Sequence, residues 1–137
     1  MARKQKTIAA LVNDAATILQ RIVRLKAAND NGYAQCVTCG AINAYELMDG
    51  GHFISRTYTA HKLTEDNIHP QCKRCNGFKG GEYAAYTLYM IDIYGRDYVE
   101  ELLATKSQTK KYTRPEIMQK IQELKEYERQ VREAKGF

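Results

Sequence analysis

Residues 72–76 read Cys-Lys-Arg-Cys-Asn, and residues 36–39 read Cys-Val-Thr-Cys. Each Cys-x-x-Cys pair places two thiolates on one tight turn, where both can reach the same ion. Four sulfur ligands around a d10 ion form a closed tetrahedral site with no open position for chemistry. The pattern therefore predicts a structural zinc ion bound by Cys36, Cys39, Cys72 and Cys75.

Two disulfides are the alternative use of these four cysteines. The chain begins Met-Ala-Arg-Lys, and no apolar run follows this basic start, so no secretory signal is evident. We therefore expect a reducing, cytoplasmic location, where disulfides are rare and a bound metal is favoured. No stretch has the length and apolarity of a membrane span, and we expect no membrane partner.

The segment between the two cysteine pairs, residues 40–71, is longer than the roughly 15–20 residues of a simple zinc ribbon. The zinc ion would therefore close a sizeable insert, and the chemistry should lie in that insert. A chain of 137 residues is expected to form a single domain, spanning residues 1–137.

The net charge of the chain gives information about its binding partner. The chain has 21 basic and 16 acidic residues, for a formal net charge of +5. A basic balance suggests a polyanion such as nucleic acid. Mixed charge on helices is also typical of a solvated surface, so charge by itself leaves the partner open.

Helices are predicted on both sides of the insert. Apolar residues recur at three- and four-residue steps over residues 7–28, with Thr7 as a plausible N-cap. A second helix is predicted from about Gly77 to Gly95, followed by a short helix over residues 97–104. Residues 44–55 are expected to be extended.

The last helix opens with a capping box formed by Thr113 and Glu116. Its apolar stripe is expected to pack on the body of the domain, with a dimer contact as the alternative. The chain then divides into an N-terminal helix over residues 7–30, a core over residues 33–93, and C-terminal helices over residues 94–137.

The insert carries residues suited to phosphodiester hydrolysis, which needs a base for water and a cation that stabilises negative charge. His52 closes a predicted strand and can be the base, because the pKa of histidine lies near the working pH. Asn76 directly follows a zinc ligand and offers a neutral oxygen suited to a hard cation such as Mg²⁺. Asn67 is better interpreted as a loop strut that hydrogen-bonds backbone groups. A packed strand-end histidine is the alternative for His52.

Several further side chains could contact phosphate. Lys79 lies near the predicted start of a helix, where free N–H groups suit an anion. Ser55, Arg56 and Lys73 are candidate phosphate contacts, with ordinary surface polarity as the alternative. We interpret His61 as a loop residue.

A histidine at a strand end, an asparagine in the connecting loop and a metal ligand after the last cysteine form the HNH, or ββα-metal, pattern. The stretch over about residues 10–105 resembles the NinG/Rap family of lambdoid phages, which are HNH-type endonucleases of Holliday junctions. The matching motifs are Asn31-Gly-Tyr-x-x-Cys36-x-x-Cys39-Gly40, Asp49-x-Gly-His52-x-x-Ser55 and Glu65-Asp66-Asn67-x-His69-x-Gln71-Cys72-x-x-Cys75-Asn76, with Leu19-Gln-Arg-Ile-Val-Arg-Leu25 in the preceding helix.

The Cys-x-x-Cys-Asn ending is also similar to phage endonuclease VII, in which a metal-binding Asp immediately precedes the general-base His. Here that position is Gly51. Asp49 would point to the same face of a strand as residue 51, so we expect it to supply the carboxylate. His69 is an alternative ligand, or a histidine that fixes the loop beside Pro70.

The resemblance implies an α+β fold with a small zinc-bound ββα-metal core flanked by helices. It implies His52 as general base, Asn76 and Asp49 as ligands of a second cation (Mg²⁺ or Mn²⁺), and branched DNA as substrate. Two symmetric incisions of a four-way junction would require a homodimer. The host-cell cytoplasm would be the location if a phage encodes the chain. The alternatives are a non-catalytic zinc module that binds DNA or a recombination partner, and an HNH nuclease for other duplex DNA.

Overall fold

The computed structural model describes residues 4–137 and contains four α-helices and two small antiparallel hairpins. The helices are α1 (Ile8–Ala27), α2 (Tyr83–Tyr94), α3 (Arg96–Thr105) and α4 (Arg114–Lys135). The strands are β1 (Tyr33–Gln35), β2 (Ile42–Ala44), β3 (Asp49–His52) and β4 (Ile68–Gln71). The mixed helix and hairpin composition agrees with the α+β prediction.

Helices α1 and α4 lie side by side and run in the same direction. Arg21 forms an ion pair with Glu128 at 2.8 Å, and Lys135 donates to the Ala28 carbonyl at 2.6 Å, close to the carboxyl ends of both helices. Between the helices lies a core that also takes in Ile68 of β4. Burying each large aliphatic side chain of this core contributes roughly 1.5–3 kcal/mol. Its α4 members are Ile117, Ile121 and Leu124, so the prediction that this stripe packs on the body of the domain is confirmed.

Both predicted helix N-caps, at Thr7 and Thr113, are present. Thr7 Oγ1 accepts from the Ala10 N–H at 3.1 Å and so caps α1. In α4, Thr113 Oγ1 accepts from the Glu116 N–H at 3.3 Å, and Glu116 Oε1 accepts from the Thr113 N–H at 2.9 Å. Each cap satisfies donors that the first helical turn leaves free. The short helix predicted at 97–104 is present as α3.

The two hairpins carry the cysteine pairs. The Cys36–Cys39 pair forms the loop between β1 and β2, where Gly40 has a φ of +82° that closes the turn. The Cys72–Cys75 pair follows β4, which pairs with β3 in the register Gly51 opposite His69. In β3–β4 the connection is long and includes a 3-10 turn at Glu65–Asn67.

Two segments predicted from the sequence have different boundaries in the structure. Residues 44–55 are not extended throughout, because Tyr45–Leu47 form a 3-10 turn before β3. The helix expected from about Gly77 begins at Tyr83, because Arg74–Phe78 form a π-helical turn and residues 80–82 have positive φ angles. The φ angles are +63° at Gly80, +95° at Gly81 and +51° at Glu82, none of which an α-helix accommodates.

A second apolar cluster places α2 and α3 against the end of β3. Its buried members are Phe53, Ile54, Tyr86, Met90, Val99 and Leu102. Over residues 4–137, no helix combines the length and apolarity that crossing a membrane requires.

Candidate metal centre

The four cysteines converge on one point. One Sγ from each lies within 4.8 Å of the other three, and all four are free thiols. The Cys39 and Cys72 sulfurs are 3.7 Å apart. Sulfurs at zinc's usual bond length of about 2.3 Å on a tetrahedron are separated by about 3.8 Å, whereas a disulfide requires about 2.05 Å. The donor set therefore fits a zinc ion.

The pKa values of the thiols and their mutual repulsion as thiolates also favour a bound cation. Burial raises the pKa of the Cys75 thiol to about 12. Burial opposes ionisation of Cys36 as well, but hydrogen bonds from the Thr38 hydroxyl and nearby backbone N–H groups lower its pKa to about 6. Four thiolates at this separation repel one another, and a dication at their centre removes the conflict.

Gln71 joins the two cysteine turns from inside. It is fully buried, and its Nε2 donates to the Gly81 carbonyl at 2.9 Å and to Thr38 Oγ1 at 3.2 Å. A Cβ added to Gly51 would lie 1.8 Å from Gln71 Oε1. The glycine at the position where a carboxylate was expected is therefore required by packing, because Gln71 fills that space. This role of Gln71 has no signal in the sequence.

Beside the cysteine centre, three polar side chains that sequence analysis singled out come together. Asn76 donates from Nδ2 to Oδ2 of Asp49 at 3.0 Å. Lys73 donates from Nζ to Oδ1 of the same carboxylate at 2.8 Å. Asp49 begins β3, and both partners lie at the turn that follows β4, so antiparallel pairing brings them together. A carboxylate and a carboxamide side by side can bind a hard cation.

His52 lies at the other end of β3 and points to its other face. A Cβ on Gly50 would meet Gln20 of α1, and side chains alternate along a strand, so His52 faces the α1 side while Asp49 faces Gln71. Its imidazole is 8% exposed, and Nε2 donates to the Lys62 carbonyl at 2.9 Å. No hydrogen bond among the described residues links His52 to Asp49 or Asn76.

The hydrogen bond to Lys62 defines the tautomer of His52. Because a carbonyl can only accept, Nε2 carries the proton and Nδ1 retains its lone pair. Burial, assisted by the positive charges of Arg56 and Lys62, lowers the pKa of His52 to about 4. The imidazole is therefore neutral near pH 7 and able to accept a proton at Nδ1.

Asn67 is buried and hydrogen-bonds backbone groups, which is the role that the sequence predicts for it. Its Oδ1 accepts from the Ile54 N–H at 2.7 Å, and its Nδ2 donates to the carbonyls of Ile54 at 3.0 Å and His61 at 3.1 Å. The residue is 0% exposed. It holds the chain that leaves β3 after His52, and it acts on that histidine through the backbone.

Both ring nitrogens of His69 form hydrogen bonds with tyrosine hydroxyl groups. Tyr86 donates to the Gly51 carbonyl at 2.7 Å, so its oxygen accepts from His69 Nδ1 at 3.1 Å. Tyr94 then donates to Nε2 at 2.8 Å. Burial lowers the pKa of His69 to about 4. Neither nitrogen is open to a cation, which favours the alternative of a histidine that fixes the chain beside Pro70, and the partners that fix it are two tyrosines of α2.

The candidate phosphate contacts lie at two places. Ser55 Oγ is 3.0 Å from Thr57 Oγ1, in a turn whose exposed Arg56 lies close enough to His52 to influence its pKa. Lys73 and Lys79 are exposed beside the cysteine centre. The expectation that Lys79 lies at a helix start is wrong, because it lies in the turn before α2. His61 contacts Thr105 Oγ1 at 2.7 Å and ties its loop to α3.

Four clustered cysteines carried by two small hairpins and the turn after β4, with flanking helices, define a small α+β protein with a candidate metal centre. The chain belongs to the NinG family, because the family model described as bacteriophage lambda NinG protein matches residues 2–135.

Curated relatives agree with this assignment. The chain is 29% identical to "Protein ninG" of Escherichia phage lambda over 99 residues, covering 66% of this chain and 47% of that protein. It is 34% identical over 70 residues to "Protein ninG" of Escherichia phage 933W, covering 49% and 33%. It is 29% identical over 100 residues to that of Salmonella phage P22, covering 66% and 48%. The chain thus spans less than half the length of these relatives. No solved structure matches it.

Proposed function

We propose that this protein is a metal-dependent DNA endonuclease of the HNH type that cleaves branched recombination intermediates such as Holliday junctions. Zinc at the four cysteines would be structural. His52 would be the general base, and Asp49 and Asn76 would hold a catalytic Mg²⁺ or Mn²⁺ ion. The observation that carries the proposal is the contact between Asp49 and Asn76, which places a carboxylate and a carboxamide beside the zinc centre.

The spacing of that pair suits a hard cation. Rotation of the Asn76 carboxamide by 180° exchanges its nitrogen and oxygen, so an oxygen can take the position 3.0 Å from Asp49 Oδ2. Neighbouring oxygen ligands of an octahedral Mg²⁺ ion at about 2.0–2.1 Å lie about 2.9 Å apart. Bound there, the ion would supply Lewis-acid stabilisation of charge on the phosphate and the leaving oxygen.

The state of His52 supports its role as base. Its Nε2–H is held by the Lys62 carbonyl, and its Nδ1 has no hydrogen-bond partner among the described residues. Its lowered pKa keeps it neutral near pH 7, and it also makes the ring a weaker proton acceptor than an exposed histidine. A water oxygen would bond to phosphorus as its proton passes to Nδ1. The bond from phosphorus to the leaving sugar oxygen would then break, and that oxygen would take a proton from solvent.

A single phosphodiester would have to reach both His52 and the Asp49–Asn76 pair, which lie at opposite ends of β3 and point to opposite faces. The attacking water and the leaving oxygen lie on opposite sides of phosphorus, so a base and a cation on opposite sides of the phosphate are roughly 8–10 Å apart. The Cα atoms of Asp49 and His52 are about 10 Å apart in an extended strand, and because the two side chains point to opposite faces their reacting groups are farther apart than that. Within the described residues β3 pairs only with β4, so a phosphodiester passing its free edge could meet both groups.

Charge and family membership support DNA as the substrate. Arg56 and Lys62 are close to His52, Lys73 and Lys79 flank the cysteine centre, and the whole chain has a net charge of +5. These cations would contact phosphates and would favour DNA shape over sequence. Ser55 would add a hydroxyl donor. Two incisions in a four-way junction would require a symmetric homodimer, and the reducing cytoplasm would keep the cysteines available for zinc.

One observation favours a second candidate, a zinc module that binds DNA or a recombination partner without cutting. Lys73 holds one oxygen of Asp49, and Gly51 leaves no room for a second carboxylate. A nuclease for other duplex DNA would use the same site chemistry, and the choice of substrate separates it from the first proposal.

The test incubates the zinc-loaded protein with a labelled four-way junction and a linear duplex of matched sequence, in Mg²⁺, in Mn²⁺ or with no added divalent cation. We expect cutting of the junction by the wild type and none by His52→Ala, with DNA binding retained. His61→Ala is the matched control and should cut normally. Binding without cutting in every metal would favour the zinc module, and equal cutting of both substrates would favour a general duplex nuclease.

A further inference from the structure

Phe78 is the most exposed large hydrophobic side chain of the described residues, with 91% of its surface open to solvent. Phenylalanine is normally among the more buried residue types. Isolated apolar residues on a surface are common, as Leu88 and Ile42 are here, so exposure by itself does not assign a role. The position of this ring is what distinguishes it.

The backbone around Phe78 is anchored to the cysteine centre. Phe78 closes the π-helical turn that begins at Arg74 and contains Cys75. The next residue, Lys79, donates its N–H to the Arg74 carbonyl at 2.9 Å, and Gly81 donates to the Cys75 carbonyl at 2.8 Å. The backbone that carries the ring is therefore fixed relative to the four cysteines, and the ring itself extends into solvent.

The neighbours of Phe78 are suited to nucleic acid. Lys73, Arg74 and Lys79 are exposed cations on the same short segment. Asn76, two residues before Phe78, contacts Asp49. An exposed aromatic ring among cations is the combination by which proteins stack on a base while holding its phosphate.

We propose that Phe78 stacks on a nucleobase that is exposed where DNA branches, and thereby positions the adjacent strand at the Asp49–Asn76 pair. This inference rests on the proposed nuclease function. In continuous duplex both faces of each base are covered by neighbouring pairs, so the ring has no free face to contact. At a branch the terminal pair of an arm can present one face. Stacking by Phe78 would therefore favour branched over linear DNA.

The experiment uses the absence of tryptophan from the chain. Phe78→Trp introduces the only indole, and its fluorescence is measured as four-way junction or matched linear duplex is added to the zinc-loaded protein without Mg²⁺ or Mn²⁺, which prevents cutting and leaves the structural zinc in place. We expect quenching with the junction and little change with the duplex. Phe78→Ala should lose about 5- to 150-fold in junction affinity, as expected for one base stack, with duplex affinity nearly unchanged. Phe78→Trp should retain wild-type affinity.

Leu88→Ala is the control, because Leu88 is also an exposed apolar residue, 66% open, on α2. Its junction affinity should be unchanged, and equal zinc content in all variants excludes a folding defect. Unchanged indole fluorescence, or wild-type junction affinity in Phe78→Ala, would overturn the stacking role. If the wild type still cuts junctions in that case, the nuclease proposal survives. If the wild type binds no DNA, both proposals fail.

Discussion

Asn76 and Asp49 are 27 residues apart in the chain, and the amide of one donates to the carboxylate of the other at 3.0 Å. The same carboxylate accepts from Lys73 at 2.8 Å. The ammonium group thus provides a positive charge at the oxygens where a divalent cation would bind. Cation binding and the Lys73 ion pair should therefore compete.

We predict that Lys73→Met raises the affinity for Mn²⁺, because it removes this competing charge. Exposed ion pairs contribute roughly 0.2–1 kcal/mol, so the increase should be up to about fivefold. Asp49→Asn should abolish measurable binding. Isothermal titration of the zinc-loaded protein with Mn²⁺ measures both effects. Lys79→Met removes an exposed lysine nearby and should leave the affinity unchanged. Equal affinity of wild type and Asp49→Asn would remove Asp49 from the cation site.

The histidines offer a test that does not depend on activity. Burial lowers the pKa of both His52 and His69 to about 4, below the ordinary value near 6.5. Both rings should therefore remain neutral as the pH falls from about 7.5 to about 5.5. Over the same range an exposed histidine changes from mostly neutral to mostly charged. The hydrogen bonds predict opposite tautomers, with the proton on Nε2 of His52 and on Nδ1 of His69.

Side-chain ¹⁵N NMR distinguishes these tautomers, and the chain has only three histidines to assign. The stability consequence has a definite sign. A histidine whose pKa is lowered in the folded state costs no stability above the unfolded pKa, and stability falls as pH drops from about 6.5 towards 4. A ring that titrates near pH 6.5 would contradict the buried, carbonyl-bound state described for His52.

Asn67 carries a separate prediction about stability. Replacing it with Ala removes three hydrogen bonds and leaves the N–H and the carbonyl of Ile54 without partners inside the protein, whereas the His61 carbonyl still accepts from the Thr64 N–H. Unsatisfied buried groups cost about 1–3 kcal/mol each, so we expect a loss of about 2–4 kcal/mol in the free energy of unfolding. Urea denaturation measures it. Asn31→Ala, at an exposed position, should change stability by no more than about 0.5 kcal/mol.

The sequence predicted the features that depend on local chemistry. The caps at Thr7 and Thr113, the apolar stripes of α1 and α4 and the cysteine pairs all follow from spacing of a few residues. The proximity of Asp49 to Asn76 could also be predicted, because it follows from a single antiparallel strand pairing. The start of α2 was not predictable, since tertiary contacts decide between a helix and left-handed glycines at Gly80 and Gly81.

Contacts between distant segments were also missed. Nothing in the sequence indicates that the Gln71 amide fills the space beside Gly51, or that the Lys62 carbonyl holds His52. The two tyrosines that occupy His69 come from α2, and helical periodicity alone predicts packing for them without naming a partner. These roles depend on how segments cross in space, and local patterns carry no information about that.

Loss of zinc should affect the two hairpins more than the core between α1 and α4. The cluster that contains Cys36 and Cys75 also buries Ala34 and Met48, whereas the core between α1 and α4 contains no cysteine. We predict that removing zinc unfolds both hairpins, because apparent zinc affinities of about 10–16 kcal/mol match or exceed the whole stability of a typical domain, about 5–15 kcal/mol. Hydrogen exchange should show lost protection in β1–β4, with α1 and α4 retaining more. Purified protein should contain one zinc ion per chain, Cys72→Ser should reproduce the chelated state, and added zinc should restore protection only in the wild type. Unchanged protection of β3 and β4 after complete zinc removal would show that packing alone holds Asp49 beside Asn76.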